Sequence, residues 1–161
     1  MATRIIVFTD VHGHTHNLLD LVPCIERADF AFFLGDGMAC LEVLPSNLNR
    51  KLTVVRGNCD FAPALPKELV VEIGEFKFLL THGHAYNVKS TRSEIEQRAA
   101  ELGVDVALFG HTHQYAEWRH GKALIINVPP LGDSRTKQGG SYLEITIDGP
   151  NKISHVLCSL D

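Results

Sequence analysis

The sequence predicts an α/β protein: two β-sheets of mixed strands packed face to face as a sandwich, with helices on both outer faces. Three observations predict it. In the first half, short continuous apolar runs alternate with a helical pattern, as parallel strands covered on both sides do. In the second half, strand-like segments come in pairs joined by glycine-containing turns, as antiparallel hairpins do. No linker, repeat or low-complexity tract divides the chain, so residues 1–161 read as one domain.

The elements run in order along the chain. Ile5 to Phe8 is an apolar run and reads as a buried strand. Leu18 to Ala28 has helical periodicity, with Asn17 placed to cap it and Asp20 in its first turn. Pro23 conflicts with that pattern, and is expected to kink the helix or mark a late start. Phe30 to Leu34 and Leu52 to Val55 are two more buried strands, with a short helix near Cys40 to Leu44 between them. Glu68 to Ile73 and Phe76 to Leu80 form a hairpin around Gly74-Glu75. Thr91-Arg92-Ser93-Glu94 is a capping-box sequence that opens a helix running to Leu102 and stopping at Gly103. Val106 to Phe109 is a buried strand. Tyr115 to Arg119 pairs with Lys122 to Asn127 around His120-Gly121, and Ser141 to Ile147 pairs with Lys152 to Cys158 around Asp148-Gly149-Pro150.

Composition narrows the function. Apolar residues are 45% and charged residues 21%, ordinary for a folded protein. A chain of this length buries roughly two-thirds of its unfolded surface and needs no disulfide or zinc staple. Fifteen Lys+Arg against nineteen Asp+Glu give a net charge of -4, which argues against a dedicated nucleic-acid surface. It leaves room for an anionic substrate, because a bound cation outweighs the global field locally. The apolar run near the N-terminus is too short for a signal h-region, and no stretch approaches the ~18 apolar residues of a membrane span. Cys24, Cys40, Cys59 and Cys158 form no CxxC pair, so a cytoplasmic protein with reduced thiols is expected.

The informative pattern lies just past the end of each strand. The strands end in Asp10-Val11-His12, Gly35-Asp36, Gly57-Asn58-Cys59-Asp60, Thr81-His82-Gly83-His84 and Gly110-His111-Thr112-His113. Each is a metal-ligating group at the carboxyl end of a strand, where ligands bind in α/β sheets. In extended backbone, residues i and i+2 point the same way, so Asp10 with His12 and His111 with His113 are each able to face one site. The glycines before Asp36, Asn58 and His111 permit a sharp exit beside a bulky site. No folding requirement places His and Asp at the end of every strand.

The order DxH, GD, GN, HGH, GHTH resembles the calcineurin-like metallophosphoesterase superfamily, and most of all its small single-domain bacterial and archaeal phosphodiesterases. The resemblance implies the two-sheet fold and two divalent cations. Asp10, His12, Asp36 and His113 would hold the first; Asp36 would bridge to the second, completed by Asn58, His82 and His111. Nitrogen and oxygen donors with several imidazoles favour Mn, Fe, Zn or Ni over Mg or Ca without choosing among the four; Mn is taken as the expected cation. The activity it implies is hydrolysis of a small phosphoester, more a diester than a monoester, by in-line attack of an activated water on phosphorus. With both aspartates and a hydroxide counted, such a site carries about +1, suited to the extra negative charge of the transition state.

The chain departs from the family pattern in three places. Cys59 stands where many members have the His that protonates the leaving group. A thiol is a poor general acid, so proton donation falls to His84, His14 or water. Gly37-Met38-Ala39 comes after Asp36 where an acidic residue is common. Asn127-Val128-Pro129-Pro130 replaces an Asn-Pro-Gly-Ser turn. His84, Cys59 and Asp60 are the candidate catalytic residues, Asp60 by holding a neighbouring ligand or loop. His14 and Arg135 are the candidates for substrate binding, and Arg56 is expected in a structural ion pair. A non-catalytic metal-binding or protein-interaction scaffold, as in the retromer-subunit branch, is the alternative on the same fold. Apolar hairpin residues also leave a homo-oligomer possible.

Overall fold

A computed structural model describes residues 2–132 and 140–160. Two five-stranded mixed sheets form the sandwich. The first runs β10-β9-β1-β2-β3, with β1 (Thr3–Phe8), β2 (Phe30–Phe33) and β3 (Leu52–Val54) parallel, and β9 (Ser141–Ile147) and β10 (Ile153–Ser159) added antiparallel. The second runs β4-β5-β6-β8-β7. Its centre, β5 (Phe76–Thr81), β6 (Val106–Phe109) and β8 (Ala123–Asn127), is parallel, and the edges β4 (Glu68–Ile73) and β7 (Ala116–His120) are antiparallel.

Strand alternation sorts the apolar residues into three layers. Ile5, Val7 and Phe32 face Phe78, Leu80, Leu108 and Ile126 of the other sheet, with the Phe32 and Phe78 rings 6.0 Å apart. Ile6, Phe8 and Phe33 point the other way and pack against Leu18, Leu21 and Ile25 of α1 (Thr15–Arg27). Leu79, Ala107 and Ile125 pack outward against Ile95 and Ala99 of α2 (Ser93–Leu102). Every central strand is therefore apolar on both faces, which is why its sequence is a continuous run rather than an alternation. The helices cover both outer faces, as the sequence predicts.

The helix ends differ from expectation. α1 starts at Thr15, before Asn17, and takes Pro23 inside. Asn17 is no cap: its Nδ2 donates to the Leu131 carbonyl at 2.8 Å, tying the helix start to the distant loop. A tertiary partner has outcompeted the local one. Thr91 does accept the Ser93 N–H at 3.1 Å, but Glu94 does not reach back; it accepts from Asn87 instead, so the reciprocal box is not closed. α2 stops at Gly103 in the left-handed conformation, φ 65°, as predicted. The helix near Cys40 is a 3₁₀ turn over Met38–Val43, followed by a second at Ser46–Lys51 that has no signal in the sequence.

Truncating the inter-sheet layer tests this packing. Phe32→Ala is expected to lower stability by about 3–5 kcal/mol, read as a shifted urea midpoint with an unchanged slope.

Candidate metal centre

Two parallel strand pairs, one in each sheet, build the site. β1 and β2 run side by side and end together, so Asp10 and Asp36 emerge as neighbours: Asp10 N–H donates to the Gly35 carbonyl at 2.9 Å and Val11 N–H to the Asp36 carbonyl at 2.8 Å. In the facing sheet β5 and β6 do the same for His82 and His111, with Gly110 N–H donating to the His82 carbonyl at 3.0 Å. Hydrogen bonds also cross between the sheets, among them His82 Nδ1, 2.9 Å from the Leu34 carbonyl. A carbonyl only accepts, so Nδ1 carries the proton and Nε2 is turned into the centre.

Six of the predicted ligands converge as two trios, Asp10–His12–His113 and Asp36–His82–His111. His12 Nε2 and His113 Nε2 lie 3.3 and 3.2 Å from Asp10 Oδ1. His82 Nε2 lies 3.2 Å from Asp36 Oδ2 and 3.2 Å from His111 Nδ1. Asp36 Oδ2 is also 3.7 Å from His12 Nε2, so that oxygen faces both trios. Donors about 2.0–2.2 Å from a shared ion, at tetrahedral or octahedral angles, sit about 3.0–3.5 Å from one another. The trios match that spacing, and their oxygen and imidazole donors fit divalent cations. Asn58 is exposed in the adjoining loop, with its Nδ2 3.6 Å from Cys59 Sγ.

The backbone route to this arrangement is not the one the spacing suggested. Asp10, His12, Asp36, His111 and His113 all have positive φ, between 45° and 71°; the only other non-glycine residue with positive φ among those described is Asn87. The i, i+2 pairs therefore reach the centre through left-handed turns rather than along a pleat, and His111 and His113 face different trios. Such conformations cost about 1–3 kcal/mol each and persist where the surroundings enforce them. Here the surroundings are close backbone. A Cβ on Gly57 would sit 2.1 Å from Asp36 Oδ1, and one on Gly110 2.6 Å from Asp10 Oδ2.

Hydrogen bonds fix both carboxylates. Asp10 Oδ2 accepts from Thr9 Oγ1 at 2.6 Å and from His111 N–H at 3.1 Å; Asp36 Oδ1 accepts from Cys59 N–H at 2.8 Å. Thr9 is a contributor the sequence reading missed; its position next to a ligand was the only signal. Burial opposes the charge on Asp36, but the His82 imidazole, the Cys59 N–H and His12 together hold its carboxyl well below the usual range. Burial likewise opposes the charge on His82, and Asp36 and Asp10 outweigh it and raise the pKa. Burial, then repulsion from His82 and Lys89, pushes His111 down to about 4.

The remaining candidates fall around this core. Asp60 accepts four backbone N–H groups, from Asp36 and Gly57 at 2.8 Å, Gly37 at 2.9 Å and Met38 at 3.0 Å. It pins the Asp36 loop to the Asn58 loop. Those four bonds outweigh burial and depress its pKa. The His84 ring lies 5.6 Å from His82, and its Nδ1 is buried without a partner among the described residues. Cys59 is exposed, and burial of its sulfur with the nearby Asp36 charge pushes the thiol pKa up. His14 turns its Nδ1 back to the Val11 carbonyl at 3.2 Å. Asn127 is buried and donates to Thr112 Oγ1, holding the loop between His111 and His113. Arg56 makes no ion pair among the described residues, contrary to expectation, and its Nε is buried without a partner. Arg135 lies outside the described residues.

Fold and site together define an α/β sandwich with a candidate metal centre where parallel strands of both sheets end. The domain model of the calcineurin-like phosphoesterase superfamily matches residues 3–149, and the chain belongs to that superfamily. It is 35% identical over 147 residues to the probable metallophosphoesterase YsnB of Bacillus subtilis, covering 90% of this chain and 85% of that protein. Among solved structures, a predicted phosphoesterase of Streptococcus pneumoniae superposes with a TM-score of 0.77 at 25% identity, over 98% of this chain and 99% of that one. The fold is also that of vacuolar protein sorting 29 of Cryptosporidium parvum (TM-score 0.72, 17% identity, 98% and 97% covered). An archaeal phosphodiesterase shares it equally (TM-score 0.72, 20% identity, 97% and 100% covered). No helix among the described residues is long and apolar enough to cross a membrane.

Two variants test the scaffold of the centre. Gly57→Ala is expected to weaken Mn²⁺ binding by about 10–100-fold in calorimetry, because it displaces Asp36. Asp60→Asn is expected to cost about 2–4 kcal/mol at pH 7, because an amide nitrogen cannot accept two of the four donors. The depressed Asp60 pKa fixes the sign of the pH effect. Its contribution is present above about pH 4 and is lost as pH falls through the lower folded value. The stability difference between wild type and Asp60→Asn should therefore shrink in urea titrations at pH 3.

Proposed function

We propose that this protein is a phosphodiesterase that works with two divalent cations, one at each trio. The observation that carries it is the convergence of Asp10, His12, Asp36, His82, His111 and His113 from four strand ends into two adjacent trios, with Asp36 Oδ2 3.7 Å from His12 Nε2 of the other trio. Asn58 completes the second trio, and the donor set suits Mn²⁺, Fe²⁺, Zn²⁺ or Ni²⁺, with Mn²⁺ taken as the working cation. When bound, the cations polarise phosphoryl oxygens and acidify water towards pKa ~7, giving a nucleophile at neutral pH.

The chain's own residues supply placement. Asp10 and Asp36, buried, are held in orientation by N–H and O–H donors from Thr9, Cys59 and His111. His82 and His111 wall the centre from the second sheet, and Asp60 keeps the two ligand-bearing loops in register. Proton donation is weak here. Burial, then the neighbouring His82 and Lys67, lowers the His84 pKa, so its ring is neutral at pH 7 and offers a hydrogen bond rather than a proton. The Cys59 thiol is also a weaker acid than usual. That combination suits diesters whose leaving group departs with little protonation.

A second reading, a scaffold without turnover, draws on the fold shared with vacuolar protein sorting 29. The complete ligand set weighs against it, since a scaffold has no need of strained backbone at five ligand positions.

Hydrolysis of bis-(4-nitrophenyl) phosphate with added Mn²⁺ separates the readings. Turnover, abolished by a chelator and reduced at least ~1,000-fold by Asp10→Asn or His82→Ala, is expected. A metal-loaded wild type with no turnover of diester or monoester would favour the scaffold, and a faster monoester rate would reverse the diester preference. His84→Ala and Cys59→Ala should change the rate by less than about 10-fold, and the rate should fall steeply with leaving-group pKa. A flat dependence abolished by His84→Ala would make that residue the general acid.

A further inference from the structure

A cleft of about 480 Å³ adjoins the centre at His12 and Cys59 and is lined further by Met38, Glu42 and Phe61. Phe61 is 100% exposed, and the next most exposed large apolar side chain, Val156, is 61% exposed. An aromatic ring left wholly in water forgoes the burial that drives folding. Phe61 is two residues beyond Cys59 and next to Asp60, whose four backbone bonds hold that end of the loop. The ring is therefore presented from an anchored turn rather than from a free tip. Opposite, Met38 offers a polarizable thioether. Glu42, also lining the cleft, contributes the single carboxylate that is neither a candidate ligand nor occupied by backbone.

We propose that this cleft binds the ester group that stays on phosphorus, and that this group is a nucleobase or a similar planar heteroaromatic with N–H donors on its edge. The inference rests on the phosphodiesterase reading and names its substrate class. Continuity decides the occupant: the cleft opens from a ligand of the first trio, so an ester group on a phosphate seated there extends into it. The wall chemistry decides the class. A flat ring stacks on Phe61 against Met38, since every base has a π-face. The Glu42 carboxylate accepts from an exocyclic amine and repels an anionic group such as a second phosphate. An alkyl ester would leave Glu42 without a donor, and a plain sugar would offer Phe61 no flat π-face.

Calorimetric titration of the Mn²⁺-loaded protein with adenosine 5′-monophosphate and with ribose 5-phosphate isolates the base, because the two ligands share the phosphate and the sugar. Adenosine 5′-monophosphate is expected to bind about 5–100-fold more tightly. In Phe61→Ala that preference should fall to within about 2-fold while ribose 5-phosphate affinity holds, and Glu42→Ala should reduce it partially. Phe61 is fully exposed among the described residues, so the variant should melt as wild type does. Equal affinities in wild type, no binding of either ligand by metal-loaded protein, or a preference that survives Phe61→Ala would overturn the assignment. So would a wild-type dimer in light scattering that Phe61→Ala converts to monomer, which would make the ring a contact between copies. Failure of the wild type to take up Mn²⁺ would instead strike the underlying metal-centre reading.

Discussion

Everything at the centre depends on one constraint: two carboxyl groups, Asp10 and Asp36, are buried side by side at the end of a parallel strand pair. Two like charges in a water-poor site are unfavourable unless something positive and something hydrogen-bonding compensates. The fold supplies both. The facing sheet brings imidazoles to the same end, and Thr9, Cys59 and His111 donate to the carboxylate oxygens from fixed positions. Parallel pairing within each sheet sets the spacing along the sheet, and the thickness of the sandwich sets the gap across it.

That constraint explains features that look unrelated. Left-handed backbone is concentrated at the ligands because a chain leaving a strand must turn at once to aim a short side chain inward. Glycine stands at positions 57 and 110 because the neighbouring strand's carboxylate occupies the volume of a side chain. Asp60 is spent entirely on backbone because two loops from adjacent strands must keep the same register for Asp36 to stay between the trios. The strain at the centre is balanced by three apolar layers whose buried members include no Asp, Glu, His, Lys or Arg, so rigidity comes from the sandwich and chemistry from its rim.

The fold alone does not separate a hydrolase from a scaffold, since an archaeal phosphodiesterase and a vacuolar protein sorting protein share it. What separates them is whether the rim keeps its donors in coordinating geometry. In this chain it does, and the surroundings then refine the chemistry: poor proton donors beside the centre and an apolar, aromatic-walled cleft leading away from it.

Much of this was legible without coordinates. The continuous apolar runs determined the buried parallel strands, since only strands covered on both faces can be apolar throughout. The glycine turns determined the hairpins. The ligand identities were legible because metal chemistry restricts which side chains can serve. Local signals failed where a distant partner competed: Asn17 gave up its cap for the Leu131 carbonyl, and Glu94 its box for Asn87. Only the tertiary structure decided that the ligand candidates reach the centre through left-handed backbone, that Asp60 commits both carboxylate oxygens to four backbone N–H groups, and that Phe61 is left wholly exposed among the described residues. Sequence spacing specifies direction only along regular backbone. Beyond the last strand residue the chain turns into left-handed conformations, and there the facing sheet, not the local sequence, sets where each side chain goes.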